Sequence, residues 1–346
     1  MGLSRSERKL DHIRHALGHE RDVYNHFDDI DIVHQSLTEL NFDQLHLRTN
    51  LGELQLSSPI FVNAMTGGGG QRTLEINKNL AKAAAESGIG MAVGSQMAAI
   101  RDPHERPSYE IVRKENPEGI VFANVGSEAD YEQAQMAIDM IRADALQIHV
   151  NTLQELIMPE GDRDFRERLH NIESICRKVE VPVIVKEVGY GMSKETIKQL
   201  YDLGVSYMDV GGRGGTNFSK VENMRREKPF ASFDNWGIPT PISLLESREL
   251  VEQLNIHIIG SGGIRNGLDG AKAIALGANC FGMAGSLLRV LVEKGYEELA
   301  SEIQHIHKEI KMVMMLTNSQ SVSELRKKPF VVHGESKTWL DQRADQ

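Results

Sequence analysis

The feature that most constrains this chain is an alternation. Eight short, nearly continuous apolar runs are separated by stretches with helical periodicity. The runs read as strands at Pro59–Gly67, Gly90–Ser95, Ile120–Val125, Ala145–Asn151, Pro182–Gly189, Tyr207–Gly211, His257–Ser261 and Cys280–Ala284. Helices are predicted between them over Arg72–Ser87, Tyr109–Asn116, Ala129–Ile141, Arg166–Val179, Lys194–Leu203, Pro241–Leu254 and Gly267–Leu276. Strands that are apolar along their whole length are covered on both faces. Strands separated by helices run parallel, because a parallel pair needs a crossover connection.

Eight such units fit either an open doubly wound sheet or a (β/α)8 TIM barrel. Polar, charged or glycine-rich residues stand at nearly every strand C-terminus, which favours the barrel. A barrel draws its site from all the strand ends, whereas an open sheet gathers ligands at one switch point. A single domain is therefore expected, with the barrel over residues 59–316. An N-terminal helical extension occupies residues 1–58 and a C-terminal tail residues 317–346. The extension carries a basic helical pattern at Arg5–Leu17, an acidic stretch at Asp22–Asp31 and a polar segment suited to a hairpin over the barrel floor. One long closing helix is predicted over Leu287–Leu316 and a short one at Ser323–Arg326, and the tail around Trp339 packs on the barrel or on a neighbouring subunit.

A formal net charge of −10 argues against a nucleic-acid partner, which requires a basic footprint. No apolar run approaches the length of about 18 residues needed for a membrane span. Met1–Leu17 is charged and lacks the apolar core of a secretory signal. Cys176 and Cys280 lie in separate apolar segments and read as buried free thiols. Together these features point to a cytoplasmic enzyme, and an acidic protein that binds an anion must build a local cationic pocket.

The last two strands end in Gly260-Ser261-Gly262-Gly263-Ile264-Arg265 and Gly282-Met283-Ala284-Gly285. In barrels these two ends recurrently bind phosphate through backbone N–H groups and the start of a helix. The fifth strand closes on Lys186 and Glu187. A lysine there is costly unless it is paired, with Glu155 or Glu187, or reaches a ligand in the mouth. The sixth strand runs into Gly211-Gly212-Arg213-Gly214-Gly215-Thr216-Asn217-Phe218, a loop that hugs a ligand, with Thr216 and Asn217 available to hydrogen-bond it. It is neither a dinucleotide fingerprint nor a P-loop. The fourth strand gives His149 and Asn151 on one side, followed by Gln154 and Glu155 in the turn. Glu155 is a candidate Mg²⁺ ligand, since that ion often takes a single protein carboxylate plus substrate phosphates. Thr66, Ser95 and Asn124 are small polar groups at the first three strand ends, and Gln96 and Met97 follow Ser95. Near the N-terminus, Arg8, Lys9 and His12 bring three potential cations within one helical turn or so, suited to a polyanion.

In this order the segments resemble the FMN-dependent type 2 isopentenyl-diphosphate isomerases, nearly end to end. The most specific are Asn63-Ala64-Met65-Thr66-Gly67-Gly68, His149 to Glu155, Met158-Pro159-Glu160-Gly161-Asp162-Arg163, Lys186-Glu187-Val188-Gly189 and Gly214-Gly215-Thr216-Asn217-Phe218. The resemblance implies FMN contacts at Ala64, Met65, Thr66, Ser95, Asn124, Lys186, Gly211, Thr216, Gly262, Gly263, Ala284 and Gly285. It implies a diphosphate clamp at Arg8, Lys9 and His12, and Glu155 as the Mg²⁺ ligand. Further substrate contacts are expected at Ser95, Gln96, Met97 and Gln154, and catalytic roles at Gln154, Lys186, His149 and Asn151. It also implies reduced FMN as the active form, NADPH as a flavin reductant, and an allylic or homoallylic diphosphate as substrate. Barrels of this kind form homo-oligomers of four or more subunits, by analogy. The rivals are an FMN-dependent 2-hydroxy-acid oxidase or dehydrogenase and a non-enzymatic phosphate-ligand sensor. The former needs a histidine in the turn at Gly211–Phe218, and there is none.

Overall fold

The computed structural model describes residues 24–66 and 69–344. Its centre is a closed barrel of eight parallel strands: β1 Ile60–Val62, β2 Gly90–Ala92, β3 Val121–Gly126, β4 Ala145–Val150, β5 Val183–Glu187, β6 Tyr207–Asp209, β7 His257–Ser261 and β8 Cys280–Met283. Neighbours in sequence are neighbours in space, and β8 closes on β1 with Phe281 opposite Ile60 and Met283 opposite Val62. All eight predicted strands are present. Most are shorter than the apolar runs, because the chain leaves the ladder and turns toward the mouth before the run ends. β1 stops at Val62, and Asn63 to Thr66 already belong to the site loop.

Strand alternation sorts the residues. Outward positions such as Leu146, Ile148, Val183 and Val185 join the helices in one large apolar layer. Inward positions change character along the barrel axis. The lower half is apolar, with Phe61, Phe122, Ile184, Ile259 and Cys280 packed together. Phe61 and Phe122 meet edge to face with centroids 5.4 Å apart, a pair that contributes about 0.5–1.5 kcal/mol beyond its area. A hairpin of Thr49–Leu51 and Leu54–Leu56 plugs the floor, and its Leu51, Leu54 and Leu56 complete this inner cluster. Two residues further along the same strands the interior turns polar: Asn63, Asn124, Gln147, Lys186, Asp209 and Ser261 are all buried.

The closing segment corrects one expectation. Two helices, Gly285–Lys294 and Tyr296–Leu316, replace the single long one. The break falls at Gly295, whose φ of 91° a helix cannot hold. Asn318 follows with φ 49°, the left-handed conformation that asparagine tolerates. The short helix forms over Val322–Leu325. The tail packs on the barrel. Phe330–Val332 pairs with Ile30–Ile32, and helix Gly334–Arg343 places Trp339 Nε1 2.7 Å from Glu246 Oε1. Cys176 and Cys280 are free thiols, and burial pushes the Cys176 pKa up to about 12.

Candidate active site

The mouth holds a cavity of about 720 Å³, lined by the ends of β1, β5, β6, β7 and β8. This is within the range of roughly 300–1,000 Å³ typical of cofactor and ligand sites. Most of the expected flavin contacts line it: Ala64, Met65, Lys186, Gly211, Thr216, Gly262, Gly263, Ala284 and Gly285. Gly285 opens the helix Gly285–Lys294, so unpaired N–H groups of its first turn face the cavity end formed with Thr216. A Cβ at Gly285 would lie 3.3 Å from Thr216 Oγ1 and 3.4 Å from Met65 Cε. Gly262 serves a different purpose. Its φ is 95°, and a Cβ there would sit 2.0 Å from the carbonyl oxygen of Gly212. The loops after β6 and β7 thus lie backbone against backbone, and Thr240 Oγ1 pins the second by donating to the carbonyls of Ser261 and Gly262 at 2.8 and 2.6 Å.

Lys186 reaches the cavity from β5, and its Nζ donates to the Glu187 carbonyl at 2.6 Å. It forms no ion pair with Glu155 or Glu187. The Glu187 carboxylate turns away and accepts from the backbone N–H of Val188, Gly189 and Tyr190 at 2.6, 2.7 and 2.5 Å. Burial raises the Glu187 pKa to about 7, against the pull of those donors and of Lys186.

Other expected residues are placed differently. Thr66 is buried and its hydroxyl donates to Asn77 Oδ1. Gln96 is fully buried, with Oε1 accepting from Asn124 N and Nε2 donating to Ala137 O at 2.9 Å. Met97 belongs to the apolar layer behind the barrel. Gln96 and Met97 therefore present no side-chain group to the cavity, because a helix packs over the end of β2. The Ser95 carbonyl accepts from the Tyr109 hydroxyl. Asn217 caps the helix Phe218–Asn223, and its Nδ2 donates to Asp234 O. It is a structural residue of the loop. Arg213 lies near His26, where burial first and Arg213 second lower the histidine's pKa. Arg8, Lys9, His12, Gly67 and Gly68 lie outside the described residues.

The fourth strand end forms a second cluster. His149 Nδ1 is 2.9 Å from Asn124 Oδ1. Asn151 Nδ2 donates to Glu155 Oε1 at 2.8 Å, and the N–H of Asp162 donates to Glu155 Oε2 at 2.8 Å. Arg163 folds back onto the carbonyls of Glu155, Met158 and Gly161 and holds this loop in shape. Arg168 adds bonds to Ser127 and Asp162. The arginine-bearing motif at 158–163 therefore presents Glu155. No group of three or more His, Cys, Asp or Glu suited to a metal occurs among the described residues. A single partly exposed carboxylate fits Mg²⁺ that takes its remaining ligands from phosphate and water.

Several site residues escaped the sequence reading. Glu222 is fully buried, accepts from Gln154 Nε2 at 3.3 Å and pairs with Arg225. Nothing in its helical context marks it out. Asp209 and Gln147 sit among the interior polar groups. Asp209 ends an apolar strand as Lys186 does, so the same cue was available. Asn25, just before the first described turn, bonds Gly263 O at 2.7 Å and brings the extension to the cavity rim.

A family model described as FMN-dependent dehydrogenase matches residues 115–332. An isopentenyl-diphosphate delta-isomerase of Bacillus licheniformis is 54% identical over 341 residues, covering 99% of this chain and 97% of that protein. The chain belongs to the FMN-dependent isopentenyl-diphosphate delta-isomerase family. A second isomerase of that name, from a Geobacillus species, is 53% identical over 341 residues, with 99% and 97% covered. The isomerase fold is shared with oxidases of low sequence similarity. A lactate oxidase of Pediococcus acidilactici superposes with a TM-score of 0.66 at 16% identity, covering 96% of this chain and 88% of that one. A mandelate oxidase variant with an FMN adduct gives 0.61 at 15% identity, covering 96% and 94%. Among the described residues, no helix is long and apolar enough to cross a membrane.

Proposed function

We propose that this enzyme converts isopentenyl diphosphate to dimethylallyl diphosphate by a 1,3-allylic proton shift, with reduced FMN in the mouth cavity and Mg²⁺ at Glu155, in isoprenoid biosynthesis. The observation that carries this reading is the end-to-end identity with isomerases, together with a Gly211–Phe218 turn that has no histidine. A hydroxy-acid oxidase needs a base there to take the substrate hydroxyl proton.

Bound reduced FMN supplies the acid–base chemistry that an unactivated alkene demands. The chain's residues do the rest. Lys186 brings a positive charge to the flavin ring and favours its anionic form. The start of the helix from Gly285, with Thr216 and the Gly262–Gly263 turn, would hold the flavin phosphate. Glu222 holds Gln154 by its amide, and Gln154, His149 and Asn151 orient the hydrocarbon part of the substrate. Glu155, fixed by Asn151 and the Asp162 N–H, holds Mg²⁺ against the diphosphate, and Arg8, Lys9 and His12 clamp the same group. NADPH would serve only to bring the flavin into its reduced form, and the enzyme works in the cytoplasm as a homo-oligomer of four or more subunits. Exposed Trp236, Met312 and Leu316 support that assembly.

The test is isomerisation under anaerobic conditions with FMN and Mg²⁺, with and without dithionite. Product in the reduced sample alone is expected. No product in either, with FMN firmly bound, would remove the substrate assignment and bring forward the oxidase reading.

A further inference from the structure

Six polar side chains form one hydrogen-bonded line across the barrel interior. At one end the Asp209 carboxylate is fully buried. Its Oδ2 accepts from Asn63 Nδ2 at 2.7 Å. Its Oδ1 accepts from Ser261 Oγ at 2.5 Å and from the Gly211 N–H at 3.2 Å. Asn63 Oδ1 accepts from Gln147 Nε2 at 3.2 Å, and Gln147 Oε1 from Asn124 Nδ2 at 3.3 Å. Asn124 Oδ1 then faces His149 Nδ1 at 2.9 Å.

This line has a direction, and two groups that cannot reverse set it. An ionised carboxylate only accepts, so Asn63 must turn its NH₂ to Asp209. The Ala64 N–H donates to Asn63 Oδ1 at 2.8 Å, and a backbone N–H only donates. Both fix Asn63 in one orientation. Gln147 must then offer its NH₂ to Asn63 and its carbonyl to Asn124. Asn124 must donate to Gln147 and present its carbonyl oxygen to His149. The Gln96 Oε1 that accepts from Asn124 N holds this backbone in place. A carbonyl oxygen facing a ring nitrogen requires that nitrogen to carry the proton. We infer that Asp209 is a positioning residue which, through Asn63, Gln147 and Asn124, fixes the neutral His149 ring in its Nδ1–H tautomer with Nε2 as the acceptor.

The carboxylate is required because both its oxygens face fixed N–H donors. An amide at 209 would oppose one donor with another, either at Gly211 or at Asn63. Flipping Asn63 relieves the second clash only by setting its NH₂ against the Ala64 N–H, and it reverses every amide beyond it. The inference rests on the proposed function only in placing His149 beside the substrate. The tautomer is read without turnover, so its failure and a failed isomerase assay are separate results.

The experiment is nitrogen-15 NMR of the FMN-loaded protein labelled at histidine, with the His149→Gln variant identifying the His149 signals among the 13 histidines. Nδ1 is expected at the protonated position and Nε2 at the unprotonated one near neutral pH. Asp209→Asn is expected to move the ring toward Nε2–H. Gln147→Met, which cuts the line in the middle without touching Asp209, is expected to give a mixture. In whichever variant folds, kcat falls about ten- to a hundredfold with a much smaller change in KM. A wild-type ring that is Nε2–H or doubly protonated would overturn the assignment. A tautomer unchanged in both variants, with only thermal stability reduced, would overturn the role of Asp209.

Discussion

At the residue scale, the role proposed for Lys186 is the most direct to test. It ends an apolar strand, is buried, reaches the cavity and spends one hydrogen bond on the Glu187 carbonyl. Lys186→Met keeps the length and removes the charge. Isomerase turnover should fall by about a hundredfold or more, and the reduced flavin should shift toward its neutral form in the absorption spectrum. Full activity would show that the charge is not needed at the flavin. Lysine was legible because a charge at the end of a buried strand has few bland explanations. Glu222 was not, since an acid in a short amphipathic segment normally faces water, and only the fold reveals that it is sealed against Gln154 and Arg225. Gln96 erred in the opposite way. It follows a strand end in sequence, but a helix covers it and both its polar atoms are consumed by backbone groups.

At the element scale, the strand order was legible because apolar runs and helical stretches alternate without interruption. The ends were less so, because a strand stops where its ladder partners stop, not where its hydrophobicity does. The two closing helices turn on Gly295, a single residue inside a continuous helical pattern. The second of them carries His307, whose Nε2 lies 2.9 Å from Ser58 Oγ at the entry to β1. Burial lowers the His307 pKa from 6.5 to about 4. Between those values the unfolded chain binds a proton that the folded one does not, so stability falls as pH drops through this window. Urea unfolding of the wild type should therefore lose up to about 3 kcal/mol more than His307→Gln between pH 6.5 and 4. Parallel pH profiles for the two proteins would contradict this. Besides its strand pairing with Ile30–Ile32, the tail is held by a buried carboxylate. Glu246 accepts from Trp339 Nε1, Arg343 Nε and the Lys194 N–H. Glu246→Ala strands all three donors and is expected to cost about 2–4 kcal/mol in the same experiment. A change below about 0.5 kcal/mol would mean that water replaces the carboxylate freely.

At the scale of the whole molecule, the barrel is divided along its axis. The hairpin and the inner Phe61–Phe122 layer seal the floor, and on six of the eight strands a buried polar side chain follows further toward the mouth. This division was partly visible as Phe61-Val62-Asn63 and Phe122-Ala123-Asn124, an aromatic and an amide two positions apart in otherwise apolar strands. The hydrogen-bonded line that joins the amides was not, because sequence gives the face of a residue but not its partner across the barrel. The resulting mouth is apolar at its base, carries Lys186, and is lined by glycine-rich loops toward the last two strands. The central claim is that the flavin is required reduced yet is not consumed. The most direct measurement seals the enzyme, isopentenyl diphosphate and Mg²⁺ without oxygen, reduces the flavin once with dithionite, and follows the flavin spectrum and dimethylallyl diphosphate together. Many product molecules per flavin with an unchanged reduced spectrum is the predicted result, whereas one flavin reoxidised for each product formed would contradict it.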